Sequence, residues 1–256
     1  MVESLRGTRS CQIESRPLCW PRSPNSRTLQ SSESSHPPIG AEGCVEFRLV
    51  YEGPLVAATK NKARAPERQE LRRHFHKQLR RLWHTNPQLL RLAQQVGMAT
   101  AIQAGKQVLS SDDGFLNHVK SGLNHLGRQS NRFGCDFVPL VTQERCLQCS
   151  LEILFLRPDD SGTLIQAGDL DHRLKTLFEA LRLPNNREEL AGYTPTPEDT
   201  PLFCLLQEEK LITEFKVTTD VLPLLSHEKE SRAQDVFLGI NVRLSPTAPH
   251  LHAPVF

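Results

Sequence analysis

The sequence predicts a small α/β (α+β) domain: a mixed sheet with helices packed on it, a helical and loop insertion, and a disordered N-terminal tail. Three observations lead there. Val45, Phe47, Leu49 and Tyr51 alternate with Glu46, Arg48 and Val50, the period of a half-buried strand. Two later segments carry apolar residues at helical spacing. The chain then closes on further short alternating runs, so the order is β-α-(insert)-β-α-β-β-β, which calls for helices against one sheet.

Residues 1–42 are rich in Ser, Pro and Arg, lack Lys and show no hydrophobic period. Such a segment cannot bury enough surface to offset its ordering entropy, so it is expected to be disordered. The domain proper is expected over 43–245. After the first strand comes a basic loop with Lys60, Lys62 and Arg64. A helix follows from Glu67 to about Trp83, its apolar stripe formed by Leu71, Phe75, Leu79 and Leu82. Its other faces carry Arg68, Arg72, Arg73, Lys77, Arg80 and Arg81.

Residues 84–140 read as an insertion of short helices and loops, punctuated by Gly114, Gly122, Gly127 and Gly134. Alternation resumes at Leu147, Cys149, Leu151, Ile153 and Phe155. Leu174, Leu177, Phe178 and Leu181 then mark a helix that Pro184 ends. A loop spans 184–201. Phe203–Leu206 and Leu211–Val217 flank Gln207–Lys210 as strand, turn and strand, and Val236–Leu244 is the last strand. The tail 246–256 is expected to be loose.

Composition excludes little. At 256 residues the chain can hold one or two domains, and its net charge of +2 favours no partner. No stretch reaches the roughly 20 apolar residues of a membrane span, and no apolar core follows the N-terminal arginines as a secretory signal requires. Seven scattered cysteines do not form a disulfide framework, so a reducing, cytoplasmic compartment is expected. Cys146 and Cys149 form a lone CxxC without a second pair, which reads as core. His74 and His76, two apart on a helix, cannot share a face. No phosphate-binding glycine loop or nucleophile elbow occurs.

The chemistry concentrates in Gly-Asp169-Leu-Asp171-His-Arg-Leu-Lys175 and the later Gln-Glu208-Glu209-Lys. Asp169 and Asp171 share a face only in an extended segment, so the pair suits a loop entering a helix. Lys175 lies one helical turn beyond Asp171. Glu208 and Glu209 precede a strand and are expected to approach the helix start. Crowded carboxylates repel one another, and a divalent cation relieves that cost; Mg2+ takes such oxygens together with phosphate and water. The bland reading is an N-cap aspartate, a surface pair and an exposed turn.

The segments GDLDHRLKTLFEAL and LLQEEKLITEFKV resemble the RusA family of phage and bacterial Holliday-junction resolvases, with its D-x-D-N-x-x-K run and later W-x-D-D-x-Q-V turn and strand. The likeness covers 146–244 well and 44–83 weakly. It implies a homodimer that uses Mg2+, with Mn2+ as a substitute, to cut branched double-stranded DNA in phage or prophage recombination and repair. Carried over, Asp169, Asp171 and Glu209, with Glu208, are metal-binding acids, and Lys175 steadies phosphate charge. Lys60, Lys62, Arg64, Arg72, Arg73 and Lys77 fall where DNA phosphates are contacted. The sequence departs from the pattern at His172, where the family has Asn, and at Glu-Glu in place of Asp-Asp. The competing reading is a DNA-binding protein that keeps this fold with a weakened or inactive site.

Overall fold

The alternation at the N-terminal end of the domain forms strand β1 (Glu46–Pro54), with Leu49 and Tyr51 buried and Arg48 and Val50 outward. The structure is a computed structural model and describes residues 45–57, 64–105, 112–158, 169–222 and 235–247, with the backbone alone at Asp112, Asp113 and Asp169. These all belong to one unit spanning Ala41–Phe256. The expectations for residues 1–42, for most of the C-terminal tail, and for Lys60 and Lys62 lie outside the described residues.

Helix α1 (Ala65–Thr85) follows, with Pro66 in its first turn, where the missing N–H costs nothing. Leu71, Phe75, Leu79 and Trp83 line its buried face. Trp83 and Leu79 are fully buried, each worth roughly 2 kcal/mol or more by transfer of apolar surface. Asn86 ends α1 and caps α2 (Pro87–Gln103), its side chain accepting the N–H groups of Gln88 and Leu89. Helix α3 (Asp112–Gln129) packs back along α2.

The insertion is therefore a two-helix hairpin of full-length helices rather than short pieces. Its glycines are contact points. A Cβ on Gly97 would lie 1.9 Å from the His118 carbonyl oxygen, and one on Gly122 would lie 1.8 Å from that of Ala93. Only backbones without a side chain approach so closely. Of the four glycines read as punctuation, Gly134 alone sits at a positive φ in a turn (83°).

Strands β2 (Phe137–Val141) and β3 (Leu147–Arg157) come next. Helix α4 (Asp169–Leu181), β4 (Leu202–Leu206), β5 (Ile212–Val221) and β6 (Asp235–Pro246) complete the order. Short 3-10 turns at Arg187–Leu190 and Pro197–Asp199 shape the loop expected over 184–201.

The main sheet runs β1-β6-β3-β5, and β2 and β4 form a separate parallel pair. β6 is antiparallel to both β1 and β3, while β5 is parallel to β3. The inner face of the sheet (Leu151, Ile153, Phe155, Leu238, Ile240 and Val242) forms one core with α1 and α4. β4 packs on α1 through Phe203, which stacks on His76 at 5.8 Å between ring centroids. Among the described residues no helix is long and apolar enough to cross a membrane.

Candidate active site

Helix α4 is amphipathic in the way its spacing requires. Leu174, Leu177 and Leu181 are buried, and Asp171, His172 and Lys175 are exposed. Asp171 and Lys175, four apart, lie on one outward face, and among the described residues neither has an ion-pair partner. The helix already begins at Asp169, so Asp169 and Asp171 are about 200° apart around its axis rather than on one extended face. The Asp169 side chain lies outside the described residues.

The inward face ties the helix start to the basic loop. Buried Arg173 donates to the Leu55 carbonyl oxygen, and Thr176 Oγ1 donates to that of Val56 (3.0 Å). Arg64, on the far side of the loop, donates to the Ala57 carbonyl. Leu55 and Val56 are thereby held beside the first turns of α4, and Arg64 is tied to Ala57.

Glu208 and Glu209 do not reach that place, contrary to the sequence expectation. Arg182, just past the C-terminal end of α4, bridges in parallel to Leu206 of β4. Its Nε lies 2.7 Å from Glu209 Oε1. The helix has 13 residues and is about 18 Å long from first to last Cα. Glu209 therefore stands at the opposite end of α4 from Asp169 and Asp171. Glu208 faces Lys210, 2.7 Å away. The physical reason is the crossover: α4 runs back along β3, so the chain that re-enters the sheet at β5 does so at the helix's far end.

The basic helix is also sorted by burial. Arg73 and Lys77 are exposed, and the Arg73 guanidinium lies 5.2 Å from the Tyr193 ring centroid. Arg72 is corrected from a phosphate contact to a core residue, being 2% exposed. It donates to Gln69 Oε1 (2.7 Å) and to the Glu179 carbonyl (2.9 Å), and stands 3.7 Å from the Glu189 carboxylate. Burial pulls its pKa down to about 10, partly countered by Glu189.

Two clusters escaped sequence reading. Glu189, 6% exposed, takes two bonds from the Arg182 guanidinium (3.0 and 3.2 Å). With Arg72 and Arg182 it makes a buried cluster of charges that reaches the half-exposed Glu209. His76, 2% exposed, accepts the Phe203 N–H at Nδ1 (2.9 Å) and turns Nε2 toward Asp199, 3.7 Å away. Asp199 in turn accepts the Tyr193 hydroxyl (2.7 Å). No spacing signals these groups, because each joins residues from separate segments.

Among the described residues, no three His, Cys, Asp or Glu side chains gather as a metal-binding group. Of the acids expected at the start of α4, Asp171 presents an exposed carboxylate. Mg2+ keeps several waters and is held by one or two carboxylates plus substrate phosphate, with no need of a closed cage. No family model, no curated protein and no solved structure matches the chain.

Proposed function

We propose that the chain is a divalent-metal-dependent nuclease of the RusA type that acts on branched DNA, with its site at the start of α4. The observation that carries this reading is the exposed pair Asp171 and Lys175 on one helix face, on a helix whose start is bonded to Leu55 and Val56, a few residues before Lys60 and Lys62 in sequence. Carboxylates that take a metal, a lysine for phosphate charge and a basic loop for the backbone are the parts that phosphodiester cleavage needs. The resemblance of GDLDHRLK to the resolvase motif supports the same assignment.

In this reading Asp171 would hold Mg2+ together with water and substrate phosphate, without Asp169, which lies about 200° away around the helix. A bound ion would supply a lowered pKa for water and an offset to phosphate charge. Lys175 orients the scissile phosphate and balances the charge that develops on it. Arg64, Arg73 and Lys77, with Lys60 and Lys62, contact phosphates and supply affinity without base reading. Glu209 holds Arg182 and takes no part in the chemistry.

The test is cleavage of a labelled four-way junction and a matched linear duplex with Mg2+ or Mn2+. Junction-specific incision, lost in Asp171→Asn and Lys175→Ala and kept in Glu209→Gln, is the expected result. A second reading, a DNA-binding protein with a weakened site, is favoured by the distance of Glu209 from the helix start. Junction binding without incision in either metal would select it.

A further inference from the structure

We propose that the outer face of the main sheet binds a small zwitterion with an apolar body, of the class of the aromatic α-amino acids, seated over Gly239. This site does not depend on the nuclease reading. Helices α1 and α4 pack on one face of the sheet, and on the other the strand register sets side chains in rows. Arg48, Asn241 and Glu152 stand side by side on β1, β6 and β3, and Val50, Gly239 and Leu154 form the next row. Phe237 follows one row further, between Glu52 and Leu156. A cavity of about 430 Å3 opens over these rows, with Thr218 of β5 at its side. That is a size at which small molecules bind.

Gly239 is the observation that points to a ligand. Glycine inside a strand costs stability and packs nothing, and it belongs where another group must come close. Gly239 is not among the glycines held at positive φ, so no turn demands it. The atoms nearest an added Cβ are Leu154 Cβ at 3.8 Å and Phe237 Cε1 at 4.0 Å, so no crowding demands it either. Gly97 and Gly122, by contrast, are each required by a facing backbone. The missing side chain leaves an open floor, with Val50 and Leu154, 38% and 40% exposed, as apolar walls. The Phe237 ring, whose edge leans over Gly239, offers an aromatic ligand a ring to pack on.

The rim sets the charges of that ligand. Arg48 is exposed and has no ion-pair partner among the described residues. Glu152 meets Lys216 through one carboxylate oxygen (3.2 Å), both side chains being exposed, and such a pair holds weakly in water. The Cα atoms of Arg48 and Glu152 are two strand spacings apart, roughly 10 Å. Leaning inward, the guanidinium takes a carboxylate and Glu152 takes the ammonium beside it. Asn241 stands between them; its Nδ2 donates to Glu46 (2.7 Å), which leaves Oδ1 as a second acceptor for the ammonium.

The surrounding charge excludes a polyanion. The same face carries Glu46, Glu52, Glu214 and Asp220 against Lys216 and Arg243, so the phosphates of a nucleotide would meet an acidic field. A zwitterion of zero net charge meets no such barrier.

The test is titration of the full chain with L-phenylalanine, followed by amide NMR. Phenylpropionate, which lacks the ammonium, and phenylethylamine, which lacks the carboxylate, run beside it. Saturable shifts at Val50, Leu154, Phe237 and Gly239 are expected for the amino acid, with each analogue about tenfold weaker. Arg48→Met should erase the preference over phenylethylamine, and Glu152→Gln the preference over phenylpropionate. Lys216→Met removes a competing cation from Glu152 and should tighten binding. Gly239→Val fills the floor with a residue that suits a strand, so it should abolish binding while the thermal midpoint holds or rises. Absence of saturable binding overturns the proposal, as do shifts confined to other parts of the chain. So does an analogue that binds the wild type as tightly as L-phenylalanine, or unchanged affinity in Gly239→Val.

Discussion

Arg182 Nε and Glu209 Oε1 lie 2.7 Å apart, and this contact joins the end of α4 to the start of β5. Arg182 is 5% exposed, and Glu189, its second partner, is 6% exposed. The Glu209 side chain, by contrast, is 44% exposed. The two carboxylates therefore differ in what they support.

Glu189→Gln leaves the buried Arg72 guanidinium without its carboxylate and Arg182 with the half-exposed Glu209 alone. We expect a loss of about 3–5 kcal/mol in folding stability, the usual cost of breaking a buried pair from one side. Glu209→Gln should cost about 1 kcal/mol or less, since that partner is half in water. Urea midpoints of the two variants measure the difference, and equal midpoints would refute the ranking.

His76 carries a pH dependence. Nδ1 accepts the Phe203 N–H, so the ring must be neutral there. Burial holds its pKa down to about 4 from 6.5, against the opposing pull of Asp199. Between those values the unfolded chain binds a proton that the folded chain does not. The contribution is complete above pH 6.5 and is lost as pH falls toward 4, by at most roughly 3 kcal/mol. His76→Gln, which retains an acceptor, should flatten the profile of thermal midpoint against pH in that window.

Gly122→Ala places a methyl group where the Ala93 carbonyl already sits, 1.8 Å away. Separating the helices enough to admit it should cost about 1–3 kcal/mol or more. Hydrogen exchange should then report loss of protection in α2 and α3 before the sheet. Gly134→Ala, with nothing within 4 Å of the added Cβ, should lose only the backbone penalty of its positive φ, about 1 kcal/mol.

The thiols should react in a fixed order. Cys146 is exposed, while Cys135, Cys149 and Cys204 are buried. Burial pushes the thiols of Cys149 and Cys204 up to about 12, far from the reactive thiolate. Of these four, brief alkylation of the native protein followed by peptide mass spectrometry should label Cys146, and labelling of Cys149 or Cys204 should require denaturant.

Much of the fold was legible where periodicity reports burial. The alternation of Val45–Tyr51, of Leu147–Phe155 and of Val236–Leu244 appears as strands β1, β3 and β6. The Leu174–Leu181 stripe appears as the buried face of α4. The insertion was misread because glycine in sequence signals a break, whereas Gly97 and Gly122 are needed where two helix backbones touch. Strand β2 was missed because all of its residues are buried, and a strand covered on both faces shows no alternation.

The candidate site divides in the same way. One helical turn is enough to place Asp171 and Lys175 on a common outward face, since that depends only on local geometry. The tertiary structure decided the rest. It sent Glu208 and Glu209 to the far end of α4, took Arg72 into the core, and brought Leu55 and Val56 against Arg173 and Thr176. Local spacing is written in consecutive residues, whereas those contacts follow from the direction in which a helix crosses its sheet. That direction is set by packing between residues more than a hundred positions apart.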